Sequence, residues 1–194
     1  MQIQTKRPGI FAALALLMAA TRGSHSGSSI ALPDATLAEF LLAGFFIPRF
    51  TLAALLAFVF MLLEAVGLDY YAIVYRGVSD WCVSPAYWFL IPTYATMWLA
   101  GRWFAARQQN TWSSLALFCG MSWLTTTVAF LISNGSFYLL SGRFPEMNVA
   151  EYAGRIARYY PSYLSGSLMY LALAAAVYIL LSKLNKASAG THAT

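Results

Sequence analysis

The sequence predicts an all-α fold: a polytopic membrane protein built as a bundle of six transmembrane helices. Two observations carry this. Hydrophobic residues fill 60% of the 194 positions and charged residues only 10%, against roughly 25% charged in soluble domains. The apolar residues also gather into six runs, near 8–21, 35–48, 50–68, 84–101, 113–133 and 161–182. Hydrocarbon about 30 Å thick takes about 20 such residues to cross. A mean hydropathy of +0.62 agrees. One transmembrane domain over 1–184 is expected, followed by a disordered cytoplasmic tail at 185–194, "NKASAGTHAT".

Each run has its own signature. The first, inside "TKRPGIFAALALLMAAT", has a basic start, a short apolar core and small residues. That is also the anatomy of a signal peptide. No clean small-x-small site follows and the next segment is itself membrane-like, so the reading keeps it as a span. Ala15 and Ala19 make a small-xxx-small step on it, suited to close helix packing. The first two runs are short and need a thinned bilayer or some polar residues inside the span. Glu39 and Glu64 lie inside the second and third, where a carboxyl is costly unless paired or wet. The third run closes at Asp69 in "AVGLDYY". The fourth opens from "SDWCVSPAYWF", the fifth sets Cys119 deep within the apolar "LALFCGMSW", and the sixth starts at Pro161.

Orientation follows from Lys and Arg alone. With six spans and an inside N-terminus, the cytoplasmic segments hold seven basic residues: Lys6, Arg7, Arg49, Arg102, Arg107, Lys183 and Lys186. The opposite side holds five: Arg22, Arg76, Arg143, Arg155 and Arg158. Both termini are therefore expected in the cytoplasm. The long connections, 22–34, 69–83 and 134–160, then lie outside and carry Tyr70, Tyr71, Tyr75, Trp81, Tyr138, Tyr152, Tyr159 and Tyr160 together with most of the acidic residues. Loops on a rigid bundle are where binding residues concentrate, so a ligand pocket is expected on the outer side.

Several function classes are excluded or disfavoured. No phosphate-binding GxxxxGK[ST], HExxH or CxxC motif occurs, so neither nucleotide hydrolysis nor a structural zinc site is encoded. The pI near 9.3 comes from scattered basic residues with no basic run, which argues against nucleic acid. Two cysteines far apart make no disulfide framework.

The sharpest candidate is Cys82, a thiol where a polar loop meets an apolar run. In contact with water it can act as a nucleophile or as a soft metal ligand, or it can simply pack. Asp69 is a helix-end carboxylate able to line a pocket. Tyr87, five residues past Cys82, can face or cover the same cavity. Arg155 and Arg158 share a helix face and can offer forked donors to a phosphate or to amides, or else partner Glu151 or lipid. His25, in "TRGSHSGSS", can close a pocket from above or stand as a loop histidine.

"LPDATLAEFLLAGFF", "SDWCVSPAYWF" and "YAGRIARYYPSYLSGSLMYLAL" resemble the BtuM family. These are solitary cobalamin S-components of proteobacteria, related to the S-components of energy-coupling-factor vitamin transporters. The resemblance implies an inner-membrane protein that binds and takes up cobalamin as its substrate. It implies that Cys82 ligates the cobalt, that Asp69, Tyr87 and Arg155 are polar pocket residues, and that His25 lies in a histidine-bearing region. It also implies action without a dedicated energising module and without nucleotide. Through Cys82, thiol-assisted loss of cyanide from cyanocobalamin would follow. Three rivals stand beside this reading: an S-component for another vitamin, a membrane thiol enzyme with Cys82 as its catalytic nucleophile, and a structural subunit without ligand.

Overall fold

The computed structural model describes residues 7–22, 32–47, 51–146 and 148–191, with side chains between Gly9 and Ser182. Six helices account for nearly all of them: α1 (Arg7–Arg22), α2 (Thr36–Phe46), α3 (Leu52–Arg76), α4 (Leu90–Ala105), α5 (Trp112–Leu140) and α6 (Val149–Thr191). A short 3-10 turn, Pro85–Phe89, leads into α4. The described residues contain no strand.

Local chemistry explains the boundaries. The Thr51 and Thr111 side chains accept from the backbone N–H groups of Ala54 and Ser114, both at 3.2 Å. Each thus caps its helix by satisfying an orphan N-terminal donor. Asp34 does the same for α2 from one residue further out, accepting from the Thr36 N–H at 2.9 Å. Gly77 ends α3 with φ of 68°, a left-handed conformation that costs glycine little. The Val78 N–H then reaches back to the Ala72 carbonyl at 3.1 Å.

Three helices are long and apolar enough to cross a membrane: Leu52–Arg76, Trp112–Leu140 and Val149–Ser182. Their large apolar side chains face outward, among them Leu55, Leu63, Leu124, Leu131, Leu173 and Leu180. Such a surface suits lipid tails and is too apolar for water. α2, at 11 residues, spans about 16 Å, roughly half the hydrocarbon core.

The centre of the bundle is α2, buried on nearly every side and packed most extensively on α4. Glycines permit this. A Cβ at Gly44 would strike the Trp98 carbonyl, and one at Gly101 would strike the Leu41 carbonyl. The two backbones therefore touch directly, with Phe40 stacked on Tyr94 at 4.4 Å beside them. Ala19 of the expected small-residue step is exposed and Ala15 only half-buried; α1 buries Leu14, Met18 and Thr21 instead. Two different glycines on two different helices make the close approach.

The connections are shorter than the polar sequence suggested. α3 continues past Asp69 to Arg76, and α5 runs through Asn134, Gly135 and Ser136 to Leu140. α6 begins at Val149 and holds Pro161 in its interior. Polar residues mid-helix do not break a helix whose other faces pack. Gly77 and Gly142, both at positive φ, mark the real turns. At its far end α6 stays helical to Thr191, within the stretch expected to be disordered.

Candidate functional site

At the end of the bundle closed by the 77–84 and 141–148 turns lies a cavity of about 550 Å³. Its walls are the last turns of α3, the 77–84 turn, the 3-10 turn, α5 and α6. That size falls in the range of small-molecule sites, about 300–1,000 Å³. Apolar side chains such as Val78, Val83, Phe130 and Phe137 line much of it. The polar groups are Arg22, Asp34, Asp69, Ser79, Cys82, Tyr87, Ser133, Asn134, Tyr159 and Tyr163.

Cys82 sits in a tight turn. The Val83 N–H donates to the Asp80 carbonyl at 2.8 Å, and the Trp81 N–H to the Ser79 hydroxyl at 3.2 Å. The Trp81 ring is covered by the Arg143 guanidinium, 4.5 Å from its centroid. That cation–π contact straps the 77–84 turn to the turn between α5 and α6. The thiol is free and exposed and forms part of the cavity wall. Partial burial pushes its pKa up, and the nearby Asp69 carboxylate adds to that. The resting side chain is therefore a neutral thiol.

Asp69 is the hub of the polar wall. Arg22 grips it with both edges of its fork: Nε donates to Oδ1 and Nη2 to Oδ2, each at 2.7 Å. The Tyr87 hydroxyl donates to Oδ2 at 2.6 Å. Arg22 spends its remaining donor, Nη1, on Thr36 Oγ1 at 3.1 Å and the Tyr94 hydroxyl at 2.9 Å. Asp34 Oδ2 stands 3.6 Å from Nη1. Bidentate pairing of this kind is both strong and geometrically exacting. It ties α1, α2, α3, α4 and the 3-10 turn together beneath the cavity floor.

Of the expected site residues, the fold brings Cys82, Asp69 and Tyr87 onto one cavity. Arg155 lies elsewhere: its guanidinium rests on the Phe144 ring, 4.4 Å from the centroid, and it is not part of the cavity wall. It sits one helical turn from Tyr159, which does line the cavity. Phe144 in turn packs on the wall residue Phe137, with centroids 5.7 Å apart. Arg155 is thus a layer behind the wall. Arg158 is exposed, with its guanidinium 5.7 Å from the Tyr159 ring centroid. His25 lies outside the described residues. Arg22 occupies the place expected of Arg155, as the cationic group at the cavity. In the sequence Arg22 bears on topology alone, and no local spacing links it to Asp69, 47 positions away. The available signal was an arginine closing an apolar run, with no nearby acidic residue before Asp34.

Cys119 is also free and exposed, on the outward side of α5 and apart from the cavity. No group of three or more His, Cys, Asp or Glu able to hold a bare metal ion occurs among the described residues. A metal binding at Cys82 would have to arrive with most of its other ligands already in place.

Comparison of the sequence with protein-family models and with curated proteins returned no match.

Proposed function

We propose that this chain is a six-span inner-membrane protein that binds cobalamin on its outer side and mediates its uptake, as the BtuM-like sequence features imply. The three long helices would cross outright, and α1, α2 and α4 would cross where the bilayer thins. Both termini would be cytoplasmic, which puts the Cys82 cavity outside. One observation carries the reading: a free thiol on the wall of a cavity of about 550 Å³, beside Asp69 and Tyr87. Cobalamin is a broad apolar disc fringed with amides, bearing one phosphate and a cobalt with two axial positions. Apolar and aromatic walls suit the ring, Asp69 and the tyrosines suit amide N–H groups, and a soft sulfur suits the metal.

The state of the thiol bears on the rival chemistry. A cysteine nucleophile works through a lowered pKa, whereas here burial and Asp69 raise it. Coordination to a metal deprotonates a thiol outright, so an axial ligand needs no activating base. The proposed step on cyanocobalamin is a ligand exchange. The sulfur–cobalt bond forms as the thiol proton is lost, cyanide leaves with the electron pair of the cobalt–carbon bond, and the cobalt oxidation state is unchanged. Arg155 would reach the ligand phosphate or an amide by leaving Phe144, a contact worth only about 0.5–1 kcal/mol at such a site.

The test is the absorption spectrum of the purified protein with and without cyanocobalamin. A bound corrin whose spectrum shifts to the red, with cyanide appearing in solution, is expected. Binding without the shift would leave Cys82 out of the cobalt sphere. No binding would turn the reading toward another vitamin.

A further inference from the structure

Glu39 lies in the first turns of α2 and is fully buried. Neither carboxyl oxygen has a hydrogen-bond partner among the described residues. A lone carboxylate in such a place is among the costliest arrangements a protein can hold, so the side chain carries its proton. Its surroundings connect it to the cavity. Thr36, three residues earlier on the same helix face, accepts the Arg22 Nη1 hydrogen bond at 3.1 Å. Phe40, the next residue, stacks on Tyr94, whose hydroxyl accepts from the same Nη1.

The charged and titratable groups around Glu39 come from every side. α1 supplies Arg22, the segment before α2 supplies Asp34, α3 supplies Glu64 and α6 supplies Tyr170. From α4, Tyr94 stacks on the neighbouring Phe40 and is bound to Arg22. The Tyr170 hydroxyl is committed to the Pro33 carbonyl at 2.8 Å. Glu64 is half-buried with its Oε2 unpartnered among the described residues. Arg22 is the one cation in this set, and it is held by Asp69 and Asp34. While that holds, two carboxylates neutralise one guanidinium and nothing is left to stabilise a charge on Glu39.

We propose that Glu39 is a proton-binding site coupled to occupancy of the Cys82 cavity. A ligand that engages Asp69 loosens its grip on Arg22, and the freed positive charge stabilises an ionised Glu39. The proton leaves the carboxyl oxygen for solvent, and nothing is oxidised or reduced. By linkage, an ionised Glu39 favours the occupied cavity to the same degree. The nature of the ligand rests on the cobalamin reading above, but the coupling does not.

Infrared difference spectra of the purified, ligand-free chain across a pH series provide the test. The carbonyl stretch of a protonated carboxyl should be present at neutral pH and lost in Glu39→Gln, which keeps the shape of the neutral acid and should fold. Asp69→Asn removes one of the two carboxylates that hold Arg22, without any ligand, and leaves Asp34 as its only charged partner among the described residues. It should move the disappearance of the Glu39 band to lower pH by about one to three units, the effect of an opposite charge brought close. A band that Glu39→Gln leaves in place, or that Asp69→Asn does not move, overturns the proposal. A second arm uses cyanocobalamin in the Cys82→Ser background, where no thiol proton is involved. Proton release on binding, read by calorimetry in two buffers, should vanish when Glu39→Gln is added. Unchanged release would overturn the coupling. Failure of the parent to bind cyanocobalamin would sink the transport reading alone, with the infrared arm still deciding Glu39.

Discussion

The bundle has a cavity at each end, and the two are walled differently. At the Cys82 end, Arg22, Asp34 and Asp69 stand in the wall together with a free thiol. At the opposite end, a cavity of about 360 Å³ between α2, α4, α5 and α6 is walled by Phe45, Phe104, Phe118 and Ile179, and no charged side chain among the described residues lines it. Its polar groups satisfy one another. Gln108 donates to the Tyr178 hydroxyl at 3.0 Å, and the Gln109 N–H donates to the Ser114 hydroxyl at 3.0 Å. A gap between helix ends needs no charge, because amides and hydroxyls close it without the cost of desolvating ions. The charged wall of the Cys82 cavity, among the described residues, calls for another account, and the proposed ligand recognition would supply one.

The largest expected effect tests that contrast at its chemical centre. Cys82→Ser should abolish the red shift and the loss of cyanide completely, while weaker corrin binding survives through Asp69 and Tyr87. A serine variant that releases cyanide as fast as the parent would sink cobalt–sulfur bonding. In the parent, ligation displaces the thiol proton. Below the raised thiol pKa, the Cys82-dependent part of the affinity should therefore rise with pH, by up to about tenfold per unit. A titration of cyanocobalamin binding against pH measures this slope, and the serine variant should lack it.

Next in size is Arg22→Gln, which leaves Asp69 and Asp34 facing each other without a cation. Breaking a largely buried pair from one side costs about 3–5 kcal/mol. Asp69 keeps some exposure, which sets the expected loss at the lower end, near 3 kcal/mol, in detergent unfolding experiments. A change below about 1 kcal/mol would mean that the network stabilises little.

Gly101→Val should follow, because its Cβ has no room against the Leu41 backbone. Overpacking typically costs about 1–3 kcal/mol. An unchanged thermal midpoint would show that α2 and α4 can part freely.

Smaller and more selective is Arg155→Ala. It should weaken cyanocobalamin binding by about 1.5–3 kcal/mol if the guanidinium leaves Phe144 for the ligand, with Arg158→Ala nearly neutral. Equal effects in a binding titration would reduce both to bulk charge. Gln108→Ala, at the uncharged cavity, closes the series. A stability loss of about 1 kcal/mol with no change in corrin affinity is expected, and an altered affinity would mean that the two cavities communicate.

What the sequence determined by itself was the solvent and the elements. Apolar runs separated by polar turns specify helices for a lipid-like environment, because every backbone group must be satisfied within its own segment. Cys82 and Tyr87 were legible as a pair because five residues across one turn keep them near each other whatever the rest does. That Asp69 can line a pocket was legible too, but not its partner. Arg22 lies 47 residues away, and nothing in local spacing selects it over Arg155. Nor did polarity reveal that α3 runs on past Asp69, since a helix stops where backbone conformation changes, here at Gly77. The tertiary structure decided which glycines touch a backbone, which arginine meets the carboxylate, and that Glu39 is left without a donor among the described residues. Those outcomes depend on how helices far apart in the chain pack around α2, and packing is a property of surfaces meeting in space.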